Sequence, residues 1–248
     1  MKKIKTIHSL KILLVVFGLA LVHVLCAEEN VDLTIQPNPV VQENVQRTVQ
    51  NFGPVKLDAL ELYREGRDLE AAQRYADAQK KYQKSAEVCR EEIKENSRNI
   101  ESYVVLGWSL IRLEQYSEAI KISNTALAIS PKENRITETL AEAYFYLDNY
   151  TESLKLFEQY VNALPNGDRA STAYFFIGDI YRLKGKYEHA DIAYSMAVRK
   201  SPGIALWWYR LGMVREMAGK KEEAKIAYGK ALEYRPIYQE ASDALRRL

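Results

Sequence analysis

The side chains that most often carry chemistry are scarce in this sequence. It has three histidines and two cysteines among 248 residues, and beyond residue 27 His189 and Cys89 are all that remain of them. A zinc site draws on several Cys or His ligands, and two residues so far apart in the chain do not supply them. A Ser-His-Asp arrangement would have to use His189, which stands beside Ala190 at a position expected to face solvent. Cys89 falls on the apolar face of a helix with no base beside it, the setting of a structural thiol. Gly185-Lys186 and Gly219-Lys220 lack the other glycine and the Ser/Thr of a phosphate-binding loop, and they read as turns between helices. Asn149-Tyr150-Thr151 matches a glycosylation acceptor, but Tyr150 recurs as a packing residue. Acidic pairs such as Glu91-Glu92 and Glu222-Glu223 read as solvated helix faces. The expectation is a protein without catalytic residues, metal ligands or cofactors, and not an enzyme.

The elements behind these residues are helices in pairs. In residues 171–204, Tyr174, Ile177, Gly178 and Tyr181 recur on one helical face. Gly185 then opens a turn. Tyr187, Ala190, Tyr194 and Ala197 mark a second helix, and Pro202 closes the unit. Gly178 and Ala190 are small where larger side chains would hold two antiparallel helices apart. The same unit recurs along the chain. Gly178 is matched by Gly66, Gly107, Ala141 and Gly212. Ala190 is matched by Ala78, Ala119 and Ala224, with Ser153 in the third unit. Tyr187 is matched by Tyr75, Tyr116 and Tyr150, with Lys221 in the fifth. Pro202 is matched by Pro131, Pro165 and Pro236.

Five units in phase, and the run Trp208, Leu211, Gly212, resemble tetratricopeptide repeats, whose period is about 34 residues. The resemblance implies an all-α fold, a right-handed α-solenoid of antiparallel helix pairs over 58–248. The units span about 59–99, 100–133, 134–170, 171–204 and 205–238. A capping helix follows over 237–248, where Tyr238, Ala241, Leu245 and Leu248 share one face, because terminal units need a polar outer surface. Two spacings depart from the period. Gly66 to Gly107 is longer by about two helical turns, read as a longer second helix ending near Asn96. Ala141 to Gly178 is longer by about one turn, spent around Asn166–Ala170.

Residues 1–27 stand apart. Lys2, Lys3, Lys5 and Lys11 precede the apolar run Ile12–Leu25, then Cys26 and Ala27, the pattern of a secretory signal peptide. The run is short for a spanning helix and contains His23. A retained anchor and a lipoprotein modified at Cys26 stay open as alternatives, the latter weakened by Leu25 just before the cysteine. The short lysine-rich start points to a bacterial-type envelope, periplasmic or surface. Without those four lysines, 31 basic residues remain of 35 against 33 acidic ones, a net near −2 in place of +2. No basic excess then points to nucleic acid, and a membrane is expected to be met through residues 1–27 alone if they are retained. Residues 28–57, with Pro37, Pro39 and Gly53-Pro54, read as an extended, partly disordered linker.

The family resemblance implies that the first helices of successive repeats line a concave groove that holds a protein or peptide. Along that groove the expected side chains are Tyr63 and Arg67, Trp108 and Arg112, and Glu138, Glu142 and Tyr146. Phe175, Asp179 and Arg182 follow, then Tyr209 and Met213. Exposed Trp, Tyr and Arg are the types that carry interface energy. The lysine and asparagine carboxylate clamp of chaperone adaptors is not reproduced at these places. The implied function is an exported scaffold or adaptor without catalysis; the alternative is a fixed structural subunit of a cell-envelope assembly complex.

Overall fold

The computed structural model describes residues 57–248. The expected signal peptide over 1–27, with Cys26, and the expected linker up to residue 56 lie outside the described residues. Eleven helices follow one another, and no strand occurs among the described residues. Ala59–Ala71 (α1) pairs with Tyr75–Glu95 (α2), Ile100–Arg112 (α3) with Tyr116–Ile129 (α4), and Asn134–Tyr146 (α5) with Tyr150–Ala163 (α6). Ala170–Leu183 (α7) pairs with Tyr187–Lys200 (α8), Ala205–Met217 (α9) with Lys221–Tyr234 (α10), and Gln239–Arg247 (α11) follows alone. Each first helix packs on its own second helix, and each second helix packs on the next first helix. Successive first helices also touch, α1 to α3, α3 to α5 and α5 to α7. The arrangement is an all-α solenoid in which neighbours supply the apolar surface that one pair lacks.

Local chemistry sets the helix ends. The Asp58 carboxylate accepts from the N–H groups of Leu60 and Glu61 at 2.8 and 3.1 Å, which starts α1. Asn99 and Asn149 do the same for α3 and α6. Pro131, Pro165, Pro202 and Pro236 each stand two residues past a second helix, where a helix cannot continue. Between α2 and α3 there is no proline, and α2 runs to 21 residues against 14 in the other second helices. That helix absorbs the extra length of the first unit. The extra residues of the third unit form the α6–α7 loop.

Every turn inside a pair passes through left-handed backbone. Gly185 and Gly219 do so at φ 69° and 77°; Gln73, Glu114 and Asp148 hold the equivalent places at φ 60°, 59° and 58°. A side chain in that region costs roughly 1–2 kcal/mol, less the entropy that glycine loses on folding. Glu114→Gly is therefore expected to stabilise the stack by about 0.5–1 kcal/mol. A rise in the thermal midpoint checks it, and a fall would show that the Glu114 side chain contributes more than its backbone strain removes.

The small residues mark ring contacts. A Cβ on Gly66, Gly178 or Gly212 would lie 2.6 Å from the ring of Tyr82, Tyr194 or Tyr228, each sixteen residues later on the partner helix. Those buried phenols need acceptors. Tyr82 donates to Glu70 at 2.6 Å, Tyr194 to Asp179 at 2.7 Å and Tyr228 to Glu216 at 2.7 Å. In the second and third units Ser123 and Phe157 replace the tyrosine, and the place of Glu70 and Glu216 is taken by the apolar Ile111 and Phe145. Gly107 departs from the scheme, because its open side faces Thr139 on α5 and not the partner helix. Ser153, where other units have alanine, is satisfied by donating to the Ala141 carbonyl at 2.8 Å. Tyr75 is a correction: its ring is 62% exposed, whereas the equivalent Tyr116 stacks on Tyr146 at 4.8 Å. At the end of the stack, Tyr238, Ala241 and Ala244 are buried against α9 and α10, and Arg247 pairs with Glu216 at 2.9 Å.

Candidate functional site

Tyr63 and Arg67 lie one turn apart on α1, and Trp108 and Arg112 one turn apart on α3. With Glu142 on α5 they converge on one pocket of ≈ 530 Å³. The touching first helices place them side by side, since residues four apart share a helix face. The Tyr63 and Trp108 rings stand 5.6 Å apart, tilted by 35°. Trp108 is half-buried and does two jobs. It lines the pocket and also packs against the clusters around Tyr63 and around Tyr103 and Val104. The sequence expectation that it stands clear of the core is corrected accordingly.

The rest of the wall comes from loops and the start of α5. Lys132 and Glu133 enter from the α4–α5 connection, Arg135 from the first turn of α5, and Asp168 and Arg169 from the α6–α7 connection. The pocket thus carries five cationic side chains against three carboxylates. Arg112 pairs with Glu70 at 3.5 Å, and Arg135 with Glu101 and Glu133 at 2.6 and 2.9 Å. Arg67 and Lys132 have no ion-pair partner among the described residues.

Arg169 closes the inner wall. It donates to Glu138 at 2.6 and 3.0 Å and to Glu142 at 3.0 Å. The two carboxylates sit one turn apart on α5, and the Glu138 side chain is 1% exposed. Glu138 is therefore held behind the wall, not offered to the groove. Desolvation and then the like charge of Glu138 push the Glu142 carboxyl up to about 7, against the opposing pull of Arg169 and Arg112.

The other expected groove residues are not gathered here. Tyr146 stands exposed and stacked on Tyr116. Phe175 lies on Trp207 with rings 5.2 Å apart and 17° from parallel, packed between units. Asp179 is buried, accepting from Tyr194 at 2.7 Å and from Arg182 at 2.9 Å. That pair holds the fourth unit together. Tyr209 packs on Tyr228 and Tyr238, and with Met213 it borders a separate smaller pocket beside Arg247. Continuous aromatic lining from unit two to unit five is thus replaced by one pocket over the first three units. The physical reason is that Phe175 is covered by Trp207 of the next unit, while Tyr209 is covered by Tyr228 of its own unit and by Tyr238, so neither ring is left to line a groove.

Arg169, Lys132 and Tyr160 were not expected from the sequence. One signal was present. The irregular spacing from Ala141 to Gly178 falls on the loop that delivers Arg169, and a break in a repeat's period often marks where the repeat does something beyond stacking. Elsewhere, burial pushes the Cys89 thiol up to about 12, so the thiolate is not available near neutral pH. His189 is exposed and packs edgewise near Tyr181.

A family model described as tetratricopeptide repeat matches residues 58–132 and 133–199, and a second model of the same description matches 205–238. Superkiller complex protein 3 of Homo sapiens is 30% identical over 94 residues, which are 38% of this chain and 6% of that protein. The chain therefore spans about 6% of the length of the curated relative it matches. Among solved structures, TTC0263, a thermophilic TPR protein of Thermus thermophilus, is similar at 20% identity and a TM-score of 0.58, covering 77% of this chain and 98% of that one. MamA from Desulfovibrio magneticus RS-1 is similar at 18% identity and a TM-score of 0.56, over 73% and 97%. YrrB, described as a TPR protein with an unusual peptide-binding site, is similar at 20% identity and a TM-score of 0.52, over 82% and 97%. At such identities these likenesses speak to the fold, while the phased glycine–tyrosine contacts and the family matches speak to descent: the chain belongs to the tetratricopeptide-repeat family.

Proposed function

We propose that the protein is an exported scaffold that holds a protein or peptide partner in the pocket between α1, α3 and α5 and performs no catalysis of its own. One observation carries the reading. Two aromatic rings and two arginines, from two successive first helices that touch, open onto a single pocket of ≈ 530 Å³. Aromatic and arginine side chains are the types that anchor partners, and Arg67 is exposed with no ion-pair partner among the described residues. YrrB, which shares the fold, is described as having a peptide-binding site; a stack of this kind can present one. A fixed place in an envelope complex is the second reading, favoured by the lysine-rich start and the apolar run over 12–25.

Trp108→Ala is expected to weaken binding of a partner captured by crosslinking in the native cell by 2 kcal/mol or more, about thirtyfold. Because Trp108 also packs, thermal unfolding must be measured on the same sample. Arg67→Ala serves as the second variant, since Arg67 is exposed and its loss leaves the core intact. If both variants fold and bind normally, the pocket is not the binding site. Export is checked separately. Native protein is expected to begin near Ala27 or Glu28, and a chain starting at Met1 or a lipid on Cys26 would replace cleavage by anchoring.

A further inference from the structure

Behind and within the inner wall of the pocket the charges are uneven. Glu138 and Glu142 have side chains 1% and 10% exposed, and Arg169 is the guanidinium that bonds both. Two carboxylates bonded to one cation leave a surplus of negative charge in a desolvated place. Such a surplus is met by a proton or by further positive charge nearby. Around Glu142 the elements supply Arg112 from α3, Tyr116 from α4, Tyr160 from α6 and Arg169 from the start of α7. Its own helix adds Glu138 and Tyr146. Burial pushes the phenols of Tyr116, Tyr146 and Tyr160 upward, and the arginines stay charged. Glu142, which lines the pocket with its carboxyl pushed upward by desolvation and by the charge of Glu138, is therefore the group there whose charge changes near neutral pH. At the mouth stand Arg67 and Lys132, which give the pocket its positive excess.

Resting on the scaffold reading above, we infer that the pocket receives an acidic segment of the partner, with an apolar side chain set against Tyr63 and Trp108, and that its binding is coupled to uptake of a proton by Glu142, the carboxylate that lines the pocket one turn from the buried Glu138. Charge complementarity carries the first half. The geometry of Arg169 carries the second. When both carboxylates are ionised, Arg169 is neutralised inside the wall and Arg112 is drawn toward Glu70 and Glu142. A proton on Glu142 removes one negative charge from the inner wall, and the field of both guanidiniums turns toward the ligand. By linkage, a bound carboxylate favours the protonated Glu142 by the same factor. Affinity for an acidic segment therefore rises as pH falls through neutrality, while carboxylates of the ligand, ordinary near 4, remain ionised. One proton sets a ceiling of about tenfold per pH unit.

The test uses three labelled peptides of about twelve residues, long enough to span the ≈ 530 Å³ pocket. They share one central phenylalanine and differ in whether the flanking positions are glutamate, lysine or serine. Fluorescence anisotropy on the full chain is read at about pH 6 and about pH 8, either side of the change in charge. The glutamate peptide is expected to bind tightest, about five- to tenfold better at the lower pH, and to weaken with salt. Glu142→Gln is expected to bind at the higher pH as wild type does at the lower, with the pH dependence gone. Should that variant fail to fold, calorimetry of the wild type in buffers of different ionisation heat reads the proton directly: uptake of a fraction of a proton is expected. Binding of the glutamate peptide without pH dependence or proton uptake overturns the coupling. Equal or better binding of the serine or lysine peptide overturns the acidic partner. In either case the scaffold reading survives if Trp108→Ala still weakens the peptide that binds. Failure of all three peptides to bind overturns the inference, and the Trp108→Ala and Arg67→Ala variants against the captured partner then decide separately whether the pocket is the binding site.

Discussion

Arg169→Ala is expected to destabilise the stack by about 3 kcal/mol above neutral pH. The substitution leaves Glu138, 1% exposed, and Glu142 facing each other without the guanidinium that bonds both. Removing one member of a buried ion pair typically costs about 3–5 kcal/mol, because an uncompensated charge stays behind. The lower end applies here, since the Arg169 side chain is itself 36% exposed and Arg112 remains in the neighbourhood. For a domain of this size the midpoint should fall by roughly 6–12 °C. The effect has a definite sign with pH. The folded Glu142 carboxyl lies above its unfolded value, so the folded state binds a proton more tightly than the unfolded chain does. Stability from that group is greatest below about the unfolded value and is lost as pH rises through about 7. Without Arg169 the imbalance grows, so the mutant should be close to wild type near pH 5 and weakest above neutrality. A loss that is the same at every pH would mean that Arg169 acts through packing and not through the carboxylates. Arg169→Lys, which keeps the charge but not the fork, should fall between the two.

Gly178→Leu is expected to cost about 3 kcal/mol or more. A Cβ at this position would meet Cδ1, Cε1 and Cγ of Tyr194 at 2.6, 2.7 and 2.9 Å. The ring cannot swing aside cheaply. It is fully buried, and its hydroxyl donates to Asp179, which also holds Arg182. Overpacking here breaks a hydrogen-bond network as well as a helix pair. The control is Gly107→Ala, where the nearest atom is the Thr139 methyl at 3.0 Å, a contact that a small shift of α5 relieves. Thermal unfolding should separate the two substitutions clearly. Similar losses at both glycines would show that Tyr194 moves more freely than its partners imply.

Much of the fold was legible because its signals are local and repeated. Gly185 announces a turn that needs left-handed backbone, Pro202 announces a helix end, and Tyr174, Ile177 and Tyr181 share a face by their spacing alone. Five copies in phase turned weak local preferences into one assignment of fold. The lengthened second helix of the first unit followed from Ala86, Cys89 and Ile93 continuing an apolar face with no proline to stop it. What remained hidden depended on contacts between separate helices and loops. Gly107 looked like the other glycines, yet its open side is filled by Thr139 of the next unit. Asp179 and Glu138 looked like groove charges, yet Tyr194 and Arg182 cover the first, and Arg169 from the loop at the end of its unit covers the second. A helix pattern shows which side of a helix a residue is on, but not how closely the next helix approaches that side.

Helix pairs, their turns, their ends and their order could thus be read along the chain, since these rest on spacings within some thirty residues and on the backbone demands of glycine and proline. Which of the large inner-face side chains pack and which stay open emerges only in the folded stack. Folding brought Tyr63, Arg67, Trp108, Arg112 and Glu142 to one pocket and sent Phe175 and Tyr209 into the stack. It also placed Arg169, from a loop that only breaks the period, beside two carboxylates on the first helix of its own unit. Burial and charge pairing are properties of how helices and loops meet in space, set by the sum of many weak contacts across the stack, not by the spacing of residues along one helix.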